Sequence, residues 1–337
     1  MNYKLFVFGT IIVALGYVLI FVPTFFSPSE SGYTQNVSYA LRTNYTYVLN
    51  ESFLLQNELS RKFSDIVYIS VPMNATNQWS YLLSTSTEFS YIFYDTDKSP
   101  IIVYNITLDP NEKTWINLTF KVIVERYKLS FGNNLPWYTQ EQVINLTGEK
   151  AYWPVGNETY VKIAKELSVG AKTPIDVAKN IANWIIGHLN YVIIPRIGGE
   201  RAILYVNGRY VVYGDCEEVA DVFVTLSRTL GIPSRVAHGL LLISHDERMY
   251  INFTDQGPVL SNNWGGHAWP QIYVRNFGWI DVEMLEGLVA KVGDLSENHI
   301  KFNIEEKKYY GSTIDSFCIS SYLSLKYMEF STRLISG

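Results

Sequence analysis

A cysteine nucleophile must be a thiolate, and thiolates are favoured where helix N–H groups and the positive end of a helix dipole face the sulfur. Cys216 has that setting, since it follows Gly214-Asp215 and stands at the start of a segment, 217–230, with helical periodicity. The nucleophile needs a partner that accepts and returns a proton near neutral pH, which histidine does without a large shift. His267 opens the strand-like run HAWPQIYV after Gly265-Gly266. The imidazole in turn needs an acceptor to fix its tautomer, and Asp281, in FGWIDVE, is the candidate. A hairpin through Arg275-Asn276 sets these two runs side by side.

The elements around these residues follow from local signals. Residues 158–168 and 174–189 read as helices, the second with Thr173 as N-cap, Pro174 in the first turn and apolar residues at helical spacing. AILYV and YVVY flank Asn207-Gly208, the pair best suited to a type I′ turn. Gly231 then Pro233 end the helix that Cys216 begins. Strands are expected at 235–243, 248–252, 268–274 and 278–283. Between about residues 30 and 150, short β-branched and aromatic runs alternate with turn signals, the pattern of an antiparallel β-sandwich.

Composition narrows the class. The 337 residues suffice for two folded units, at roughly 100–200 residues each. A chain 47% hydrophobic is not disordered, and a net charge of −5 with no Lys/Arg run argues against nucleic acid as a partner. Two cysteines, Cys216 and Cys318, cannot form a disulfide framework. Residues 5–26 carry no charge over 22 positions, enough helix to cross a ~30 Å hydrocarbon layer, with Lys4 before them and no Lys or Arg after until Arg42. An uncleaved single-pass anchor with the bulk of the chain extracytoplasmic is expected. Nine Asn-x-Ser/Thr sequons, at Asn36, Asn44, Asn50, Asn74, Asn105, Asn117, Asn145, Asn157 and Asn252, suit an exported glycoprotein.

GDCEEVADVFVTLSRTLGIPSRVAHGLL, HAWPQIYV and GWIDVE, in that order, resemble the transglutaminase-like superfamily of papain-like fold. Its pattern is a G-x-C helix ending in G-I-P-A/S-R, then H-A-W, then G-W-x-x-x-D. The resemblance covers roughly residues 155–285, and the β-rich first half is similar to the sandwich domain that often precedes this core in prokaryotic members. It implies Cys216 as nucleophile, His267 as general base and Asp281 as orienting carboxylate. It also implies acyl transfer on protein or peptide amides through a thioester, with water or an amine as acceptor. Gln271 and Glu283 are departures near these motifs, where the family often has a carboxylate and a threonine. The backbone N–H of Cys216 would form part of the oxyanion hole, with Tyr213 as a nearby side-chain candidate. No metal or organic cofactor is implied, although some relatives use calcium.

The expected fold class is thus α+β, with a transmembrane anchor at 1–28, a β-sandwich at 29–152 and a transglutaminase-like domain at 153–337. Other residues read as structural. Cys318 is a buried thiol, and His188, His238, His245 and His299 lack the spacing of a zinc site. Gly198-Gly199 is a turn, Trp184, Trp269 and Trp279 are core, and Asp215, Glu217 and Glu218 suit a helix N-terminus. The competing reading is a non-catalytic surface module of the envelope.

Overall fold

Alternation in the first half of the chain is long enough to make strands that pair over their full length. The computed structural model describes residues 36–150, 152–306 and 319–337. β1 (Val37–Gln56) alternates outward and inward residues, and its inner row of Tyr47, Leu49, Phe53 and Leu55 is fully buried. It pairs antiparallel with β6 (Lys113–Phe131) and with β19 (Ser324–Ser336). The seven-stranded sheet is completed by β3 (Gln78–Thr85), β11 (Glu247–Thr254), β12 (Gly257–Leu260) and β16 (Asp294–Leu295). A four-stranded sheet holds β2 (Phe63–Ser70), β4 (Tyr91–Tyr94), β5 (Pro100–Leu108) and β18 (Ile319–Ser320). Its Val67, Ile102 and Tyr104 share one buried cluster with Phe53, Leu118 and Phe330 of the larger sheet, which makes a sandwich.

The sandwich is therefore not confined to residues 29–152. β19, β11 and β16 come from beyond residue 240, and β19 lies between β11 and β1. Pairing is decided by which apolar faces meet, and that has no local signature in sequence.

The second half supplies helices as well as strands: α2 (Glu158–Ser168), α3 (Pro174–His188) and α5 (Cys216–Thr229), besides the short α1 (Gln140–Leu146) and α4 (Gly199–Ala202). A five-stranded antiparallel sheet runs in the order β15 (Lys291–Val292), β14 (Gly278–Glu283), β13 (Gly266–Val274), β10 (Ser234–Leu241), β17 (His299–Glu305). Ala178, Ile181 and Ile185 of α3 and Val222, Phe223 and Leu226 of α5 share a core with Trp269, Ile272, Ile280 and Val282 of this sheet. Between α3 and α5 lies a small sheet of β7 (Leu189–Tyr191), β8 (Ile203–Val206) and β9 (Arg209–Gly214). Asn207 and Gly208 both have positive φ in the β8–β9 turn, as an Asn-Gly hairpin requires. The described chain is thus mostly β-sheet with few helices.

The apolar stretch 5–26 and Cys318 lie outside the described residues. Among the described residues, no helix is long and apolar enough to cross a membrane.

One core residue breaks the apolar pattern of the sandwich. Glu51 is fully buried on the inner row of β1, opposite Leu118 and Phe330, and neither carboxylate oxygen has a hydrogen-bond partner among the described residues. Burial pushes its pKa well above the ordinary carboxylate value of 4.5. The folded state then keeps a proton that the unfolded chain releases, so stability falls as pH rises past that ordinary value. Glu51→Met should raise the melting temperature more at pH 7 than at pH 4. A gain that does not grow with pH would contradict this account.

Candidate active site

α5 begins where β9 ends, at Gly214. That glycine has φ +140, and a Cβ there would lie 2.4 Å from Glu218 Cγ, so the turn into the helix excludes a side chain. Asp215 is the N-cap, accepting from Glu217 N at 3.0 Å, and Glu218 closes a capping box on Asp215 N at 3.1 Å. Asp215 and Glu218 are therefore caps, while the Glu217 carboxylate lies 4.0 Å from His238 Nδ1. Cys216 takes the first helical position, partly exposed, packed against the small buried cluster of Trp153, Ala220, Val224, Val236 and Ala268.

His267 is held across from α5 by β13, whose partner there is Gly239 of β10. It is 6% exposed and stacks on Trp269 at 5.6 Å between ring centroids. Its Nε2 donates to Glu283 Oε2 at 2.9 Å, and the Cys216 side chain is near enough to act on the same ring. Since Nε2 is engaged with the carboxylate, Nδ1 is the nitrogen left for the thiol. Burial lowers the imidazole pKa, but Cys216 and the hydrogen bond with Glu283 outweigh it and push it up to about 9.

The carboxylate on the imidazole is Glu283, not Asp281. Both point to the same face of β14, but they are two residues apart, which along a strand is ~6.6 Å. Asp281 stands opposite Gln271 and Glu283 lies nearer His267, so only the longer, nearer side chain makes the contact. Counted from Gly278-Trp279, the G-W-x-x-x-D spacing places its acid at residue 283, so the sequence did hold the signal.

Glu283 is 1% exposed and fully occupied. Oε1 accepts from the backbone N–H groups of Met284, Leu285 and Glu286 at 2.6–3.0 Å. Oε2 accepts from both His267 and His299, the latter at 3.2 Å. Although burial works the other way, these two histidines hold its pKa well below the usual carboxylate range. His299, the first residue of β17, was not distinguished by spacing because its partner lies on another strand. The donor atoms of His267, Glu283 and His299 lie within 4.8 Å of one another, a set that could ligate a metal ion. As arranged, these contacts are hydrogen bonds.

Asp281 has a different role. It is buried and accepts from Tyr127 Oη at 2.7 Å, Trp269 Nε1 at 2.9 Å and Gln271 Nε2 at 2.6 Å, and pairs with Lys301 Nζ at 2.9 Å. Lys301 also donates to Asn77 Oδ1 at 2.6 Å. Burial opposes ionisation, but Lys301 and the hydrogen bonds keep the Asp281 pKa below its ordinary value. Tyr127 is on β6, so its hydrogen bond to Asp281 fastens the sheet bearing His267 to the sandwich, and through Trp269 the carboxylate reaches the ring stacked on His267. Trp269 is thus both core and a support for the imidazole.

Tyr213 is partly buried on β9, three residues before Cys216. A second hydroxyl near the thiol belongs to Tyr191 on β7, whose pKa is pushed up to about 12 by partial burial and by Cys216 and Asp215. Nothing in its local sequence marks it.

The site thus sets a cysteine at a helix start against a histidine on an antiparallel sheet. Residues 161–284 match the model of the transglutaminase-like superfamily. An uncharacterized protein of Haemophilus influenzae is 27% identical over 153 residues, a match covering 42% of this chain and 40% of that protein's length. A structure described as a candidate cysteine protease from Cytophaga hutchinsonii has a similar fold, with a TM-score of 0.54, 12% identity and coverage of 88% of this chain and 94% of that one. The periplasmic domain of TgpA from Pseudomonas aeruginosa gives a TM-score of 0.33 at 13% identity, over 68% and 71% of the two chains.

Proposed function

We propose that the protein is a cysteine-dependent acyl-transfer enzyme acting on protein or peptide amides. The observation that carries this is the set of Cys216 at the start of α5, His267 near enough for the thiol to raise its pKa, and Glu283 hydrogen-bonded to Nε2 of the same ring. In the first step the Cys216 thiolate attacks the amide carbonyl, with the backbone N–H at the helix start facing the developing oxyanion. The imidazolium of His267 gives its proton to the departing amine, leaving a thioester. His267 then takes a proton from water or from a primary amine, which attacks the thioester and releases an acid or a new amide. Glu283 keeps the imidazole in the tautomer with hydrogen on Nε2 and supports its charge. We place this site outside the membrane, tethered by residues 5–26, a topology supported by the flanking charges and by sequons whose asparagines are all at least partly exposed.

Alkylation by iodoacetamide between pH 5 and 7, followed by peptide mapping, should label Cys216, and His267→Ala should remove that low-pH reactivity. Cys216→Ala should abolish both acyl-enzyme formation and turnover. Comparing amide substrates with and without an added primary amine separates hydrolysis from transfer. An unreactive Cys216 in the intact protein would instead favour a surface module.

A further inference from the structure

The outer face of the seven-stranded sheet bears two sequons with one local pattern. Trp115-Ile116-Asn117-Leu118-Thr119 on β6 and Tyr250-Ile251-Asn252-Phe253-Thr254 on β11 each put an aromatic residue two positions before the asparagine. None of the other seven sequons does. Strand alternation sends ring and asparagine to the same face, while Ile116, Leu118 and Met249 are buried beneath.

Strand pairing brings the two patterns together. Trp115, Leu54, Tyr327 and Asn252 are successive cross-strand partners in one row, and Asn117, Ser52, Glu329 and Tyr250 form the next. The asparagines thus occupy opposite corners of one patch, three strand spacings or ~14 Å apart across the sheet. Both are exposed, and among the described residues neither side chain is in a hydrogen bond. Along the first row lies a groove of about 820 Å³ whose lining includes Leu54, Trp115, Tyr327 and Asn252. Trp115 is 45% exposed, and Tyr327 is 5.7 Å from it and 5.9 Å from Tyr250 between ring centroids.

The chemistry of the patch selects its occupant. Two of the basic groups here are paired, Arg248 with Glu329 at 2.7 Å and Lys326 with Glu58, and the remaining Lys113 and Asp255 are of opposite sign, so the groove has no net charge to select a strongly charged ligand. Aromatic rings attract C–H groups to their faces, and a pyranose offers a C–H face rimmed by hydroxyls. Leu54 extends the apolar floor, while Ser52, Gln56 and Lys113 offer hydrogen-bond partners at its border.

We propose that Asn117 and Asn252 carry N-linked glycans whose first sugars lie back over Trp115, Tyr327 and Tyr250, covering this sheet face. The inference rests on the extracytoplasmic topology proposed above and is independent of the chemistry at Cys216.

The full chain, secreted from a host that installs N-glycans, provides the test. Site occupancy is mapped by mass spectrometry, and a peptide N-glycosidase is then applied to the folded protein. Release from Asn117 and Asn252 should be about tenfold slower than from Asn44 or Asn105, the ratio that ~1.4 kcal/mol of protection gives. Trp115→Ala with Tyr327→Ala should erase the difference. Asn252→Gln leaves the rings in place, and in that variant quenching of tryptophan fluorescence by acrylamide should increase. Bare Asn117 and Asn252, release as fast as at the other sites, or quenching unchanged by Asn252→Gln would overturn the proposal.

Discussion

Glu283→Gln should lower kcat by about 10²–10⁴ while the protein still folds, the size of loss seen when a triad's orienting carboxylate becomes an amide. The amide oxygen can still accept from Met284, Leu285 and Glu286, but its NH₂ would face the two Nε2–H groups of His267 and His299. Relief requires His267 to move its hydrogen to Nδ1, where the ring can no longer accept a proton from Cys216. The pH dependence should change with it. In the native protein the His267 pKa lies near 9, above its ordinary 6.5, so its contribution to stability is complete below pH 6.5 and is lost as pH rises through 9. Thermal melts of the variant should lose that alkaline limb, and the window of enhanced Cys216 alkylation should retreat to lower pH. A variant with native kcat and an unchanged pH profile would remove Glu283 from the relay.

Asp281→Asn should act chiefly on stability. Removing one partner of a buried ion pair leaves Lys301 uncompensated in the interior, a loss of about 3–5 kcal/mol, or on the order of 10 °C in melting temperature. Changing Lys301→Met as well should restore much of that, because no buried charge then remains unpaired. Activity measured well below the melting temperature should fall far less than in Glu283→Gln. If Asp281→Asn instead melts like the native protein and loses turnover, Asp281 is the orienting carboxylate.

These two residues also mark where reading the sequence ran out. The thiol and imidazole were legible because each has a local signature: a Gly-Asp-Cys turn with a capped helix behind it, and a histidine opening an alternating strand. Asp281 and Glu283 both face inward on β14, and alternation cannot choose between inward acids. Only the distance along the strand does, and the family spacing, once counted, agrees with it. His299 and Lys301 were beyond reach because their contacts cross between strands. The Asn207-Gly208 hairpin and the Thr173 and Asp215 caps are short-range and were readable. The pairing of residues 46–56 with 324–336 is not, since nothing nearby in sequence tells a strand its distant neighbour.

That last pairing governs the order in which the molecule can assemble during synthesis. By residue 305 the ribosome has delivered every strand of the sheet that bears His267 and Glu283, and the helix that bears Cys216. One long edge of β1 still awaits β19, and so does the attachment of the β11–β12 hairpin. Unpaired edges invite other chains, so a nascent or truncated chain ending before residue 324 exposes two hydrogen-bonding edges although the strands and helix of its chemical centre are present.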